Sequence, residues 1–176
     1  MGISSLIYDS WMKEAQYKKY SGILPMLRKA GVDFTGRVLD VGIGTGLFED
    51  YLKGEGISLN VSGVEIDPRM MREAQKKGYK VTLGSAEELP FQDETFDFVI
   101  CLDTIHAVKD KERALSELLR VLRSGKHLLL SHYCNTFTRN EVLRKLESIT
   151  SGLNVVDKKI VGQSDAELSI AFLIKK

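Results

Sequence analysis

Residues 37–52, RVLDVGIGTGLFEDYL, pass from a short apolar run through three alternating glycines into an amphipathic pattern. That order reads as a buried strand, a bare reversal and a helix, so the fold must let a strand hand the chain directly to a helix lying against it. The same change of period recurs further on. NVSGVEI (60–66), KVTLG (80–84), FDFVICL (96–102) and KHLLLSH (126–132) read as strands. Helical patterns separate them. LFEDYLKG closes at Gly54, and DPRMMREAQKKG has Asp67 as cap, Pro68 in the first turn and Gly78 as terminator. DKERALSELLRVLRSG carries Leu115, Leu118, Leu119 and Leu122 on one stripe.

Strands that alternate with helices and are apolar on both faces imply a parallel sheet covered on both sides. After the helix TRNEVLRKLESI, the runs NVVDKKIVGQ and ELSIAFLIKK are joined by a few polar residues around SDA, enough for a hairpin and too few for a parallel crossover. The expected fold is α/β, a doubly wound, seven-stranded, mostly parallel sheet with a C-terminal antiparallel hairpin. One domain is expected over residues 1–176: an N-terminal helical segment (1–35), a core (36–132), and a C-terminal helix and hairpin (133–176).

Composition narrows the partners. With 43% apolar residues, 28% charged residues and a net charge of +1, the chain has no polyelectrolyte character to favour nucleic acid. The basic pairs Lys18-Lys19, Lys76-Lys77 and Lys175-Lys176 stand among acidic residues and read as solvated helix faces or ends. Cys101 and Cys134 have no paired spacing and no histidine pattern beside them, so no metal site and a reduced, cytoplasmic setting are expected. No apolar run approaches the length of a membrane span. The start, MGISSLIYDSWMKE, lacks the charged lead and apolar core of a signal peptide; its match to the short myristoylation pattern carries no weight.

In an open parallel sheet, ligands sit beyond the carboxyl ends of the strands, where the strand order reverses. Gly42, Gly44 and Gly46 stand there, unless the turn is merely tight. A dinucleotide fingerprint requires glycine where this chain has Leu47, and no Gly-Lys-Ser/Thr follows, so neither pyrophosphate loop is present. Asp40 beside the turn repels phosphate and suits a positive group. Glu65 ends the second strand and is placed to accept from two ribose hydroxyls, the alternative being a solvent-facing charge. A cationic nucleoside without phosphates describes S-adenosylmethionine.

VLDVGIGTG, VEIDPRMM, GSAEELPFQDETFDFVICLDTIHAVKD and LLRVLRSGKHLLLS, in that order over residues 36–132, resemble the class I S-adenosylmethionine-dependent methyltransferases, particularly the ubiquinone and menaquinone biosynthesis subgroup. The resemblance implies the Rossmann-like methyltransferase fold, S-adenosylmethionine as cofactor and S-adenosylhomocysteine as product. It implies that Gly42, Gly44 and Gly46 underlie the methionine moiety and that Asp40 orders the turn and its ammonium partner. Glu65 is then expected on the ribose and Ile66 on the adenine face, and Cys101 at the fourth strand's end is expected with the cofactor-binding residues as a core or backbone contact rather than a nucleophile. Where the family often carries Asp, this chain has Ser85. A neutral hydroxyl contributes roughly 1 kcal/mol against about 1.5–3 for a charged partner, so adenine recognition leans on the Ala86 backbone. Ser124 and Lys126 replace the proline and second glycine of the family's usual turn before the fifth strand.

The segment CLDTIHAV excludes planar-amine chemistry of the Asn/Asp-Pro-Pro-Tyr/Phe kind and the Pro-Cys nucleophile of pyrimidine methylation. His106 and Asp103 are the candidate catalytic groups, as proton acceptor or orienting residue for an acceptor hydroxyl. Tyr8, Trp11 and Tyr20 suit a lid over the cofactor or simply dock a leading helix, and His132 and Tyr133 are expected to face the same cavity. The resulting expectation is methyl transfer to N, O or C of a small-molecule acceptor. A cofactor-binding module without turnover and a nicotinamide oxidoreductase are the alternatives.

Overall fold

Val38 and Leu39 are both fully buried, yet neighbouring residues of a strand point to opposite faces, so each face of this strand must be covered. The structure, a computed structural model, describes the backbone of residues 5–164 and 167–176 and the side chains of residues 13–162 and 167–176. In chain order it comprises α1 (Ser5–Lys29), β1 (Arg37–Val41), α2 (Leu47–Gly54), β2 (Asn60–Glu65), α3 (Pro68–Lys76) and β3 (Lys80–Leu83). There follow β4 (Phe96–Cys101), α4 (Lys111–Val121), β5 (Leu122–Cys134), α5 (Arg139–Ile149), β6 (Asn154–Ser164) and β7 (Glu167–Lys175). The seven strands form one sheet in the order β3-β2-β1-β4-β5-β7-β6.

The apolar strands alternate between two cores. Val38, Phe98, Leu129 and Leu173 meet Ile23, Leu27, Phe48 and Leu52 of α1 and α2 on one face. Leu39, Val99, Leu128 and Phe172 meet Leu115, Leu118, Val142 and Leu146 of α4 and α5 on the other. Burying a large aliphatic or aromatic side chain contributes about 1.5–3 kcal/mol, and these two layers supply most of such burial. β1 is parallel to β2 on one side and to β4 on the other, with Asp40 opposite Gly63 and Ile100. The chain winds outward from β1 to β3 and then returns to β4, so the order reverses at β1/β4 and a crevice opens above their carboxyl ends.

The expected punctuation of α3 is present: Asp67 accepts from Arg69 N at 2.7 Å, Pro68 opens the helix and Gly78 follows it at φ 93°. The antiparallel end is also present, with β7 pairing antiparallel to both β5 and β6. One boundary differs from the sequence reading. The helix expected to run to Gly125 stops at Val121, and Leu122 turns extended to pair with Phe96. Arg123 holds the segment there through Asp97 at 2.9 Å and the Glu94 carbonyl at 3.1 Å, while Gly125 N donates to Lys176 O. Those partners lie in distant segments, so helical periodicity could not report them. Tyr8 and Trp11 fall on α1, but their side chains lie outside the described residues.

Candidate active site

Behind β1 the backbone tucks beneath the end of β2: Gly42 N and Ile43 N both donate to the Val64 carbonyl, at 2.7 and 3.3 Å. Gly42 has φ +79°, and a Cβ there would fall inside the Thr104 side chain. Gly44, at φ +60°, has nothing within 4 Å of the position its Cβ would take, so this part of the loop faces open space. Gly46 follows as the residue from which α2 starts. Such a surface lets a ligand lie directly on main chain.

Glu65 is 8% exposed, which disposes of the solvent-facing alternative. Its Oε2 accepts from Gly44 N at 2.8 Å, and Oε1 accepts from Ile66 N and Asp67 N at 2.8 and 2.9 Å. The carboxylate is thus fixed in orientation by three amides, and each oxygen still has acceptor capacity.

Two cavities flank the loop. One, of about 340 Å³, is lined by Glu65, Ile66, Ser85, Ala86 and Glu87 and floored by Gly42 and Thr104. Ile66 is 72% exposed at its rim, a flat apolar surface available to a planar ring. Ser85 Oγ accepts from Glu87 N at 3.1 Å and donates to Glu87 Oε2 at 3.3 Å. Glu87, which sequence reasoning passed over, therefore brings a carboxylate to the place where Ser85 lacks one. The other cavity, of about 190 Å³, is lined by Lys19, Tyr20, Asp40, Gly44 and Asp103. Cys101 lines neither. It is fully buried in the core shared with α4, and burial pushes its thiol up, so its side chain is that of a core cysteine and does not reach either cavity.

Asp40 also differs from expectation. Instead of an ionised group at the mouth of the turn, it is 3% exposed and faces Glu49 of α2, itself 3% exposed. Asp40 Oδ1 and both Glu49 carboxyl oxygens are buried with no hydrogen-bond partner among the described residues. Burial, followed by the like charge of Glu49, raises the Asp40 carboxyl well above its ordinary range, and burial raises Glu49 as well.

At the end of β4, Asp103 adopts φ 46°, a left-handed conformation uncommon for a side-chain-bearing residue and typical of functional positions. It is paired with Lys19 of α1 and accepts from Ser131 Oγ and Ser169 Oγ, each at 2.8 Å. Lys19 is 7% exposed, contrary to the reading of Lys18-Lys19 as a solvated face. A third cavity, of about 310 Å³, opens on the far side of this pair and is lined by Lys19, Asp103, His106, Tyr133, Glu167 and Ser169. The His106 and His132 rings are 5.7 Å apart, and those of His106 and Tyr133 are 6.4 Å apart. His132 Nδ1 lies 2.6 Å from the Tyr133 carbonyl, which can only accept, so Nδ1 carries a proton, and burial holds this imidazole below its ordinary range. Tyr20 packs edge-on against Phe48 at 4.9 Å, docking α1, and it also lines the smaller loop cavity. Lys19 and Ser169 stand 150 residues apart and carried no local signal.

A family model described as a methyltransferase domain matches residues 39–130, more than half of the chain. An uncharacterised protein of Methanocaldococcus jannaschii is 31% identical over 123 residues, covering 70% of this chain and 56% of that protein. A ubiquinone/menaquinone biosynthesis C-methyltransferase of Rickettsia bellii is 38% identical over 108 residues, covering 53% of this chain and 43% of that enzyme. The chain thus spans about half the length of the curated relatives it matches. Among solved structures, a SAM-dependent methyltransferase of Thermotoga maritima superposes with a TM-score of 0.68 at 25% identity, covering 96% of this chain and 95% of that one. Among the described residues no helix is long and apolar enough to cross a membrane.

Proposed function

The chain belongs to the class I S-adenosylmethionine-dependent methyltransferase family, and from that premise we propose that it transfers a methyl group to a small acceptor seated in the cavity between His106, Tyr133 and Glu167. The single observation that carries the reading is the pairing of an open, bare Gly44 with a Glu65 carboxylate held in place by backbone amides. The residues present suit the cofactor: a backbone surface for the methionine tail, a fixed acid for the ribose, and Ile66, Ala86 and Glu87 around the larger loop cavity for a purine. Bound there, S-adenosylmethionine supplies an electrophilic methyl on sulfur, and S-adenosylhomocysteine is the product.

The protein's part is then alignment and exclusion of water, which together can lower a barrier by about 7–11 kcal/mol without a dedicated nucleophile. Asp103, held by Lys19 and two serine hydroxyls, is a positioning group that keeps Lys19 between the cofactor and acceptor cavities. His106, exposed at the acceptor cavity, is the group free to accept a proton from the acceptor. The relatives do not fix the acceptor, because the Rickettsia enzyme acts in quinone biosynthesis and the Thermotoga protein is a candidate histamine N-methyltransferase.

The test is calorimetric titration with S-adenosylmethionine and with NAD, followed by single-turnover transfer of labelled methyl to a panel of quinols, phenols and amines. Binding of the sulfonium nucleoside with transfer to one acceptor is expected. Tight NAD binding without it would overturn the reading, and binding with no transfer to any acceptor would leave a cofactor-binding module.

A further inference from the structure

Beneath the glycine loop two carboxyl groups, of Asp40 and Glu49, face each other with no cation between them among the described residues. Asp40 (β1) lines the smaller loop cavity, whereas Glu49 (α2) stands behind it and does not reach that cavity. The surrounding charges do not neutralise the pair. Glu65 approaches from β2 and adds negative potential. Cys101, on β4, is pushed up by burial and then by the charge of Asp40, and remains a thiol. Lys77 leans toward Glu49 but is bound to Asp50 at 2.9 Å, and Tyr79 donates to the same Asp50 at 2.7 Å. Lys19 of α1, across the cavity, is committed to Asp103. Two adjoining buried carboxyl groups, with three oxygens lacking any donor among the described residues, cannot both stay ionised; among the described residues no cation is left to neutralise them, and a proton shared between them does so.

Resting on the cofactor reading above, we propose that Asp40 and Glu49 share one proton in the free protein, and that the α-ammonium of the cofactor, arriving on the cavity side of Asp40, displaces that proton to solvent. Glu49 is thereby a specificity residue that never touches the ligand: it makes the subsite accept either a proton or an ammonium, and disfavours nucleosides that bring neither. The exchange balances, since one carboxyl O–H bond breaks, its proton passes to buffer, and one positive charge replaces another.

The experiment is titration of the full chain with S-adenosylhomocysteine and with 5′-methylthioadenosine, which lacks the amino-acid tail, in buffers of different protonation enthalpy near neutral pH. S-adenosylhomocysteine should release up to about one proton per site, and 5′-methylthioadenosine none. In Glu49→Gln the amide donates permanently to Asp40, so proton release should fall to near zero. Without ligand, a raised folded-state carboxyl binds its proton more tightly than the unfolded chain does. The pair's contribution to wild-type stability should therefore be lost as pH rises above the ordinary carboxylate range, so the wild-type profile should fall relative to that of Glu49→Gln. Binding of S-adenosylhomocysteine with buffer-independent heat, or equal proton release by both nucleosides, would overturn the displacement while sparing the cofactor site. Absence of binding by S-adenosylmethionine and both of these nucleosides would overturn the site and the displacement together. Parallel stability profiles for the two proteins would refute the shared proton whatever binds. Should Glu49→Gln not fold, the comparison of the two nucleosides on the wild-type chain still decides.

Discussion

The rim above β1 and β2 and the rim above β4, β5 and β7 lie on the same edge of one sheet but are made of different material. The first is main chain: Gly42, Gly44, and amides that orient Glu65. The second is side chain: Lys19, Asp103, His106, Tyr133 and Ser169, drawn from four separate segments. Backbone geometry imposes a local spacing that can be read as a motif. A constellation of side chains imposes none, because each member needs only to be delivered by its own element. The family resemblance is correspondingly dense on the first rim and thin on the second, which is where a family can change acceptor while keeping its cofactor.

The contrast can be broken most forcefully at the Lys19–Asp103 pair. Lys19→Met should destabilise the chain by about 3 kcal/mol, the lower end for a broken buried pair because two serine hydroxyls still serve Asp103. Adding Asp103→Asn should recover much of that loss in denaturant titrations, because the uncompensated buried charge is then gone. Next in size, Glu65→Ala should weaken S-adenosylmethionine binding by about 1.5–3 kcal/mol, or roughly 10- to 150-fold, by calorimetry. Unchanged affinity would remove Glu65 from the cofactor site. A smaller effect is expected from Glu87→Gln, about 2- to 5-fold weaker binding, since only the charge assistance beside Ser85 is lost.

The smallest effect concerns pH. His127 and His132 are held below their ordinary 6.5 by burial, so the unfolded chain takes up protons before the folded one does. Their contribution to stability is present above 6.5 and is lost as pH falls through the depressed folded values. His132→Gln should therefore shave the acid limb of the stability curve slightly. An unchanged limb would show that His132 contributes nothing to the acid sensitivity.

Much of the fold was legible because its signals are local. The capping of α3 by Asp67, the switch from period 3.6 to period 2, and the short link before ELSIAFLIKK each act within a few residues. The end of α4 was misjudged because Leu122 answers to Phe96 and Arg123 to Asp97, partners about 26 residues away. In the site, Gly42, Gly44 and Glu65 could be named from spacing. The burial of Asp40 against Glu49 could not, since FEDYL reads equally well as an exposed acidic first turn. Lys19 was hidden for a similar reason: a lysine beside another lysine looks solvated until a helix is laid across a rim.

The position of β7 between β5 and β6 has a consequence for synthesis. Ser169 reaches Asp103 only from that strand, which emerges after both of its neighbours, so the cavity beside Asp103 is completed by the latest-made part of the sheet. A ribosome product stopped short of Glu167 would still display every glycine and acid of the nucleoside signature. It would have β5 and β6 with no common neighbour and Asp103 one hydroxyl short, a protein recognisable by its motif yet missing a wall of the cavity beside that aspartate.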